Sequence, residues 1–273
     1  MKASVIFSTY NSTDWLEKVI WGFSCQSVLD FEIIIADDGS TIETKNKIDL
    51  LRSQVSVPIV HIWQEDNGFQ KTKILNKAIL ASQTEYLIFT DGDCIPKANF
   101  VETHLKYREE NYFLSGGYFK LSMDTSLKIT KEHIQNQDCF SIRWLIKNDL
   151  KLNFKILKLL KSQTLNTILN FITPTTPSWN GHNASGWKKD LIYVNGFNEE
   201  MKYGGEDREL GERLINYGLK SKQIRYSAIC VHLDHARSYV SDEVWKKNNE
   251  IRRQNKINKT IKTPTGIDKI TAE

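Results

Sequence analysis

The chain has 273 residues, 40% of them hydrophobic and 26% charged, with a formal net charge of +4. That length buries a sizeable core as one large domain or two small ones. The mild charge and the lack of any nucleic-acid-binding motif exclude a general nucleic-acid binder, and no stretch approaches the roughly 20 apolar residues of a spanning helix.

Residues 3–8 read as a buried strand closed by Thr9-Tyr10-Asn11. Thr13 or Asp14 can cap the helix that follows, whose face Leu16, Val19, Ile20 and Phe23 has helical spacing. Residues 31–36 form a second strand with three consecutive isoleucines, ending in Asp37-Asp38-Gly39-Ser40, and a polar helix then runs to about Gln54. Residues 58–63 are a third strand, ending in Gln64-Glu65-Asp66-Asn67-Gly68. A helix carrying Ile74, Leu75, Ala78 and Ile79 leads to a fourth strand, residues 86–90, which runs into Asp91-Gly92-Asp93. Unbroken apolar strands alternating with helices predict an α/β fold with a mainly parallel sheet.

In such a sheet the four polar strand ends share one edge, where open α/β sheets bind ligands. Turn-making explains any one of them. Four together, rich in carboxylates that repel one another, point to a shared cationic or hydrogen-bonding ligand. Asp91 and Asp93 flank a glycine and can hold a divalent cation, which can in turn hold phosphates; Asp-Gly is also a common turn dipeptide.

Residues 113–119 read as a strand with close backbone approach at Gly116 and Gly117. Between 140 and 170, Arg143, Lys147, Lys151, Lys155, Lys158 and Lys161 fall on one face of a helix, and Leu145, Leu152, Ile156, Leu159 and Leu160 on the other. Such a helix either packs on the core or lies on an anionic membrane surface. Thr173-Pro174-Thr175-Thr176-Pro177 breaks the chain. In Tyr203-Gly204-Gly205-Glu206-Asp207 the two glycines allow a tight backbone that presents two carboxylates ahead of the helical face Leu210, Leu214, Ile215 and Leu219. If Asp207 starts that helix, its dipole favours the charged form; helix capping is the plainer role. His232 and His235 flank an apolar run, and a neutral imidazole there could complete the coordination of a metal held by Asp93. The chain divides into 1–123, a helical basic insertion over 124–178, a second half over 179–240, and a polar tail over 241–273 that is either a trailing helix or a flexible end. The four scattered cysteines predict free thiols in a reducing compartment. With an N-terminal apolar run too short for a signal peptide, the expectation is a cytoplasmic protein, with peripheral membrane contact through 143–161.

These blocks together resemble the inverting glycosyltransferases of family two. Val5 to Asn11 looks like that family's opening strand, Ile34 to Ser40 like its nucleotide-binding strand end, and Thr90-Asp91-Gly92-Asp93 like its metal-binding Asp-x-Asp. Gly181-His182-Asn183 through Val194-Asn195-Gly196-Phe197 to Gly204-Gly205-Glu206-Asp207 is similar to the carboxyl-terminal region shared by β-1,4-galactosyltransferases and chondroitin polymerases. The resemblance implies the GT-A fold, a Rossmann-like mainly parallel sheet with an additional acceptor-binding subregion. It implies a donor site of Thr9, Tyr10, Asn11, Asp37, Asp38, Asp66, Asp91 and Gly92, with Asp38 on a uracil. It gives Asp93 and Asp91, with His232 and then His235, to Mn²⁺ or Mg²⁺. Asp207 would be the catalytic base, Glu206 would position a sugar, and Asn183, Tyr203, Gly204 and Gly205 would meet the acceptor. Tyr203 stands where many relatives have Trp, and Lys73-Ile74-Leu75-Asn76 lacks the Arg that often precedes that Asn.

The implied reaction moves a sugar, with inversion, from a UDP-hexose or UDP-N-acetylhexosamine to a saccharide or lipid-linked saccharide, in lipopolysaccharide, capsule or other cell-surface glycan synthesis. A sugar-1-phosphate nucleotidyltransferase and a non-catalytic sugar-nucleotide-binding subunit are the alternatives.

Overall fold

The apolar runs at 3–8, 31–36 and 86–90 are buried on both faces and pair into one sheet, with the half-buried run at 59–63 on its edge. The computed structural model describes residues 1–148, 150, 154–160, 162–235 and 241–271. The first half alternates β1 (Ala3–Thr9), α1 (Thr13–Ser24), β2 (Phe31–Asp37), α2 (Ile42–Arg52), β3 (Ile59–Trp63), α3 (Lys71–Ala81) and β4 (Tyr86–Asp91). A short β5 (Cys94–Pro96), α4 (Phe100–Tyr107), β6 (Tyr112–Ser115) and β7 (Gly117–Lys120) follow, then the small helices α5 (Met123–Lys128), α6 (Lys131–Gln135) and α7 (Ile142–Lys147). After α8 (Gln163–Ile172) come β8 (Asn183–Trp187), α9 (Lys188–Tyr193), α10 (Glu206–Asn216), β9 (Lys220–Gln223), β10 (Ile229–His232), α11 (Asp242–Asn258) and α12 (Ile267–Ile270).

The large sheet has the order β3-β2-β1-β4-β8-β6-β9, and a second sheet has the order β5-β10-β7. In the large sheet β8 alone runs against its neighbours, β4 and β6. Successive strand residues point to opposite faces. Val5, Phe7, Ile33, Ile35 and Ile88 therefore pack with α1 through Leu16, Val19, Ile20 and Phe23. Ile6, Ile34, Ala36, Leu87 and Phe89 pack on the other side with Ile74 and Ala78 of α3 and Leu210 and Leu214 of α10. Each such side chain taken out of water contributes about 1.5–3 kcal/mol. The parallel register aligns Ser8 with Asp91 and Thr9 with Asp37, then Asp37 with Trp63, so the strand ends do share one edge.

The run at 113–119 is two strands, in different sheets. A Cβ on Gly116 would lie 1.9 Å from Asn183 Oδ1, and one on Gly117 2.1 Å from the Arg225 carbonyl oxygen, so only glycines let the chain step from one sheet to the other here. The cap of α1 is Ser12, one residue before those expected, and its side chain makes no capping bond.

Two regions differ more. The single basic helix expected over 143–161 is interrupted: α7 ends at Lys147, and the next helical turn, Phe154–Leu159, is 3₁₀. Asn148 leaves helical geometry and its side chain bonds back to the Trp144 carbonyl, so the basic residues cannot line one continuous face. Lys158 turns inward onto the Tyr118 carbonyl, 3.1 Å away; Lys151, Leu152 and Lys161 lie outside the described residues. The polar stretch read as either a trailing helix or a flexible end is, over 241–271, the 17-residue α11 and the short α12, packed on α10 and α3. Its anchors are polar: Asn248, buried, donates to the carbonyls of Lys202 and Gly204, and Arg252 pairs with Glu212 at 2.5 Å. Hydrophobic periodicity could not reveal a helix docked by side-chain amides and ion pairs.

Candidate active site

The edge formed by β1, β2 and β3 is tied together by its own side chains. Tyr10 donates to Asp66 Oδ2 at 2.8 Å, and that carboxylate holds the Tyr10 hydroxyl's pKa above its ordinary value. Asn11, at φ +46°, accepts from the Thr41 amide, and its own amide donates to Ser40 Oγ. Gly39, at φ +91°, passes so close to the third strand end that a Cβ would sit 2.5 Å from the Asp66 Cα. Asp38 accepts from the Gln64 side chain at 2.7 Å and the Gln70 amide at 2.9 Å. Burial pushes the Asp38 carboxyl up against those two bonds. Thr9 Oγ1 and Gln64 Oε1 are buried without a hydrogen-bond partner, which marks polar capacity the protein leaves for something else. Asp37 differs from its neighbour. It is fully buried, with one oxygen taken by the Ser40 amide and the other facing His61 Nε2 at 2.8 Å, so it shapes the turn and has no oxygen left for a donor. Gly92 is likewise a packing residue: a Cβ there would lie 2.6 Å from the Ser8 carbonyl oxygen.

At the end of β4 the chain builds a cation-shaped cluster. Asp93 Oδ2 lies 3.1 Å from His235 Nε2, and Oδ1 lies 3.8 Å from His232 Nε2. His232 Nδ1 is 2.7 Å from the Leu233 carbonyl, which only accepts, so that nitrogen carries a proton. In its neutral form the ring turns a lone pair at Nε2 toward a carboxylate. Two electron-pair donors facing each other across a gap too long for a hydrogen bond fit a metal ion. Cys94 Sγ joins them, within 4.8 Å of both. Burial, then its neighbours Cys230 and Asp93, hold that thiol protonated, so oxygen and imidazole are the donors a hard cation would find.

Asp91 is engaged elsewhere, by Lys71 Nζ at 2.8 Å. Burial acts to raise the Asp91 pKa, but Lys71 outweighs it and holds the carboxyl down to about 2. Burial likewise opposes the Lys71 charge, and Asp91, Glu206 and Asp207 together overcome it and raise its pKa. Lys71 opens α3, where the helix dipole disfavours a cation. That misfit was the one signal in the sequence that could have singled it out.

The opposite wall comes from the start of α10. Gly204 and Gly205 adopt φ of +115° and +86°, conformations natural to glycine alone. They turn the chain so that Glu206 is buried and accepts from the Gly204 amide, while Asp207 accepts from the Gly181 amide at 2.9 Å. Burial first, then the Asp207 charge, push the Glu206 carboxyl up. A cavity of about 400 Å³ separates the two walls; its lining includes Lys71, Asp91, His182, Glu206, Asp207 and His232. Tyr203, Gly204 and Gly205 also line it. Asn183 does not reach it. That side chain is fully buried, accepting from His104 and donating to the carbonyls of Gly117 and Ala228, and Asn180 lines the cavity in its stead. The Val194–Phe197 block is also structural: Asn76 brackets Phe197, and the buried Arg213 binds the Val194 and Gly196 carbonyls. Trp245, on α11, also lines the cavity, its indole against Gly204, where a Cβ would come within 2.8 Å.

Residues 4–174 match the family described as Glycosyl transferase family 2, and residues 176–236 match the N-terminal domain of galactosyltransferase. An uncharacterized glycosyltransferase of Bacillus subtilis, YfnE, is 26% identical over 86% of this chain and 65% of its own. Escherichia coli chondroitin synthase is 25% identical over 79% of this chain and 32% of its own. The chain thus spans less than two thirds of either relative. Among solved structures, Staphylococcus aureus TarS residues 1–349 with UDP-GlcNAc has a TM-score of 0.63 at 17% identity, covering 98% of this chain and 69% of that one. A Pyrobaculum calidifontis mannosyltransferase with GDP-Man and Mn²⁺ has a TM-score of 0.58 at 17% identity, covering 95% and 62%. The fold is GT-A.

Proposed function

We infer the reaction from one premise: the chain belongs to glycosyl transferase family 2 and is a glycosyltransferase. Its donor is a UDP-hexose or UDP-N-acetylhexosamine, held by Tyr10, Asp38 and Asp66 at the nucleotide end, and its acceptor is a saccharide hydroxyl of a cell-surface glycan. The observation that carries this reading is the one cavity lined by Asp91 and His232 on one side and by Glu206 and Asp207 on the other.

The chemistry is a single displacement. The acceptor hydroxyl oxygen forms a bond to the anomeric carbon as the bond from that carbon to the phosphate oxygen breaks. The nucleoside diphosphate leaves with the electron pair, and Asp207 takes the hydroxyl proton. Asp207 suits the task because its carboxylate is fixed from the Gly181 and Arg208 amides, 2.9 and 2.7 Å away, and lines the cavity. Glu206 lines the same cavity, where its carboxyl can hydrogen-bond a sugar hydroxyl. Lys71 brings a fixed positive charge to the centre of the cavity. Asp93, His232 and His235 would hold Mn²⁺ or Mg²⁺, which when bound offsets the charge of the departing diphosphate.

The test is a screen of sugar nucleotides for slow nucleotide release, with and without metal. Release from one UDP-sugar, abolished by chelation and in Asp93→Ala, is the expected result. Absence of both release and nucleotide binding across all UDP-sugars would refute the donor assignment.

A further inference from the structure

The helix α8 is turned inside out. Its polar side faces the protein: Asn170 donates to Ser227 Oγ and accepts from the Tyr226 amide, Gln223 donates to the Asn170 carbonyl, and Asn166 donates to the Leu160 carbonyl. Its apolar side faces out. Leu165, Ile168, Phe171 and Ile172 share one face at helical spacing, and Phe171 is 90% exposed and Ile172 60%. On the preceding 3₁₀ turn, Phe154 is 80% exposed. A helix that docks by amides and shows its apolar face to solvent has a partner other than the protein's own core.

We propose that this face lies on an anionic lipid bilayer, with α8 in the interfacial plane. The charge pattern identifies the occupant. No Asp or Glu occurs from residue 150 to the end of α8 at residue 172, while that stretch holds four lysines. Arg143, Lys147 and Lys155 are exposed on the elements just before α8. An apolar strip bordered by lysines suits acidic head groups over acyl chains. It does not suit a second copy of the same face, because two-fold pairing would set the lysines against one another.

The surface adjoins the cavity. The 3₁₀ turn packs on β7, where Lys158 bonds the carbonyl of Tyr118 and lies over its ring, and Tyr118 lines the cavity beside His182. A protein seated by α8 therefore opens its acceptor side close to the bilayer. The lipid-linked acceptor that this suggests rests on the function proposed above; the membrane contact does not.

The test is co-sedimentation of the full chain with vesicles of phosphatidylcholine alone and of phosphatidylcholine with phosphatidylglycerol. Wild-type protein is expected to bind the anionic vesicles at low salt. Ile168→Ser with Phe171→Ser should weaken partitioning about tenfold or more, since two largely exposed apolar side chains no longer enter the bilayer. Lys147→Glu with Lys155→Glu should weaken it about tenfold. None of these residues belongs to the cavity, so metal-dependent nucleotide release without vesicles should be unchanged in both variants and reports separately on the proposed function. The proposal is overturned by equal binding of wild type and serine variant, by equal binding to neutral and anionic vesicles, or by no binding. A wild-type dimer in sedimentation velocity that the serine pair converts to monomer would assign the face to self-association and overturn it too.

Discussion

Replacing Asp207 by Asn tests the mechanism most directly. The amide keeps the size of the side chain and, through its one oxygen, the 2.9 Å bond from the Gly181 amide, and gives up only the bond from the Arg208 amide, so the wall of the cavity should hold its shape. Its charge and basicity are lost. A positioned general base contributes about 10²–10⁴ in rate, or about 3–5 kcal/mol of barrier. The cost to folding is far smaller: a carboxylate in the first turn of a helix contributes about 0.3–1 kcal/mol through the dipole. The proposed nucleotide end is Tyr10, Asp38 and Asp66, held by bonds to Gln64, to the Gln70 amide and to one another rather than to Asp207. The expected result is a kcat for transfer lower by two to four orders of magnitude, with a UDP dissociation constant within about threefold of wild type by calorimetry. Loss of nucleotide binding in step with kcat, or retention of more than a tenth of the activity, would refute the assignment of Asp207 as base.

Trp245→Ala should raise the acceptor KM about three- to tenfold with kcat little changed, as expected for a lost aromatic platform, and Trp245→Phe should restore most of it; an unaltered KM in steady-state assays would remove Trp245 from the acceptor site. Gly39→Ala forces a Cβ against the Asp66 backbone at φ +91° and should cost about 1–3 kcal/mol in urea unfolding, with weaker UDP binding. His104, fully buried between Ser185 and Asn183, has its pKa pushed down to about 4 by burial from an ordinary 6.5. Because the folded value is the lower one, the neutral ring's contribution is complete above pH 6.5 and is lost as pH falls from 6.5 toward 4. About 3 kcal/mol of stability should therefore disappear across that window, and His104→Gln should flatten the slope in chemical unfolding.

The sequence by itself determined the sheet. Three isoleucines in a row at 33–35 can only be a strand buried on both faces, and they divide between the two core layers as alternation requires. The carboxylates at 38, 66, 91, 93, 206 and 207 were legible for the same reason: chain punctuation by Gly and Asp is local, and local chemistry is what a linear sequence records. Asp37 and Asn183 misled that reading because their neighbours in the chain look like those of exposed site residues. Only pairing across 24 residues to His61 and 79 residues to His104 shows that their polar atoms are already used. Trp245 carries no local signature of a site and Lys71 only the misfit of a cation at a helix start, since each acquires its place from elements far away in the chain. The docked helix at 242–258 was decided the same way, by side-chain hydrogen bonds to distant backbone. The helix ending at Lys147 is closed by a local bond, from the Asn148 side chain to the Trp144 carbonyl, and hydrophobic periodicity contains no information about either.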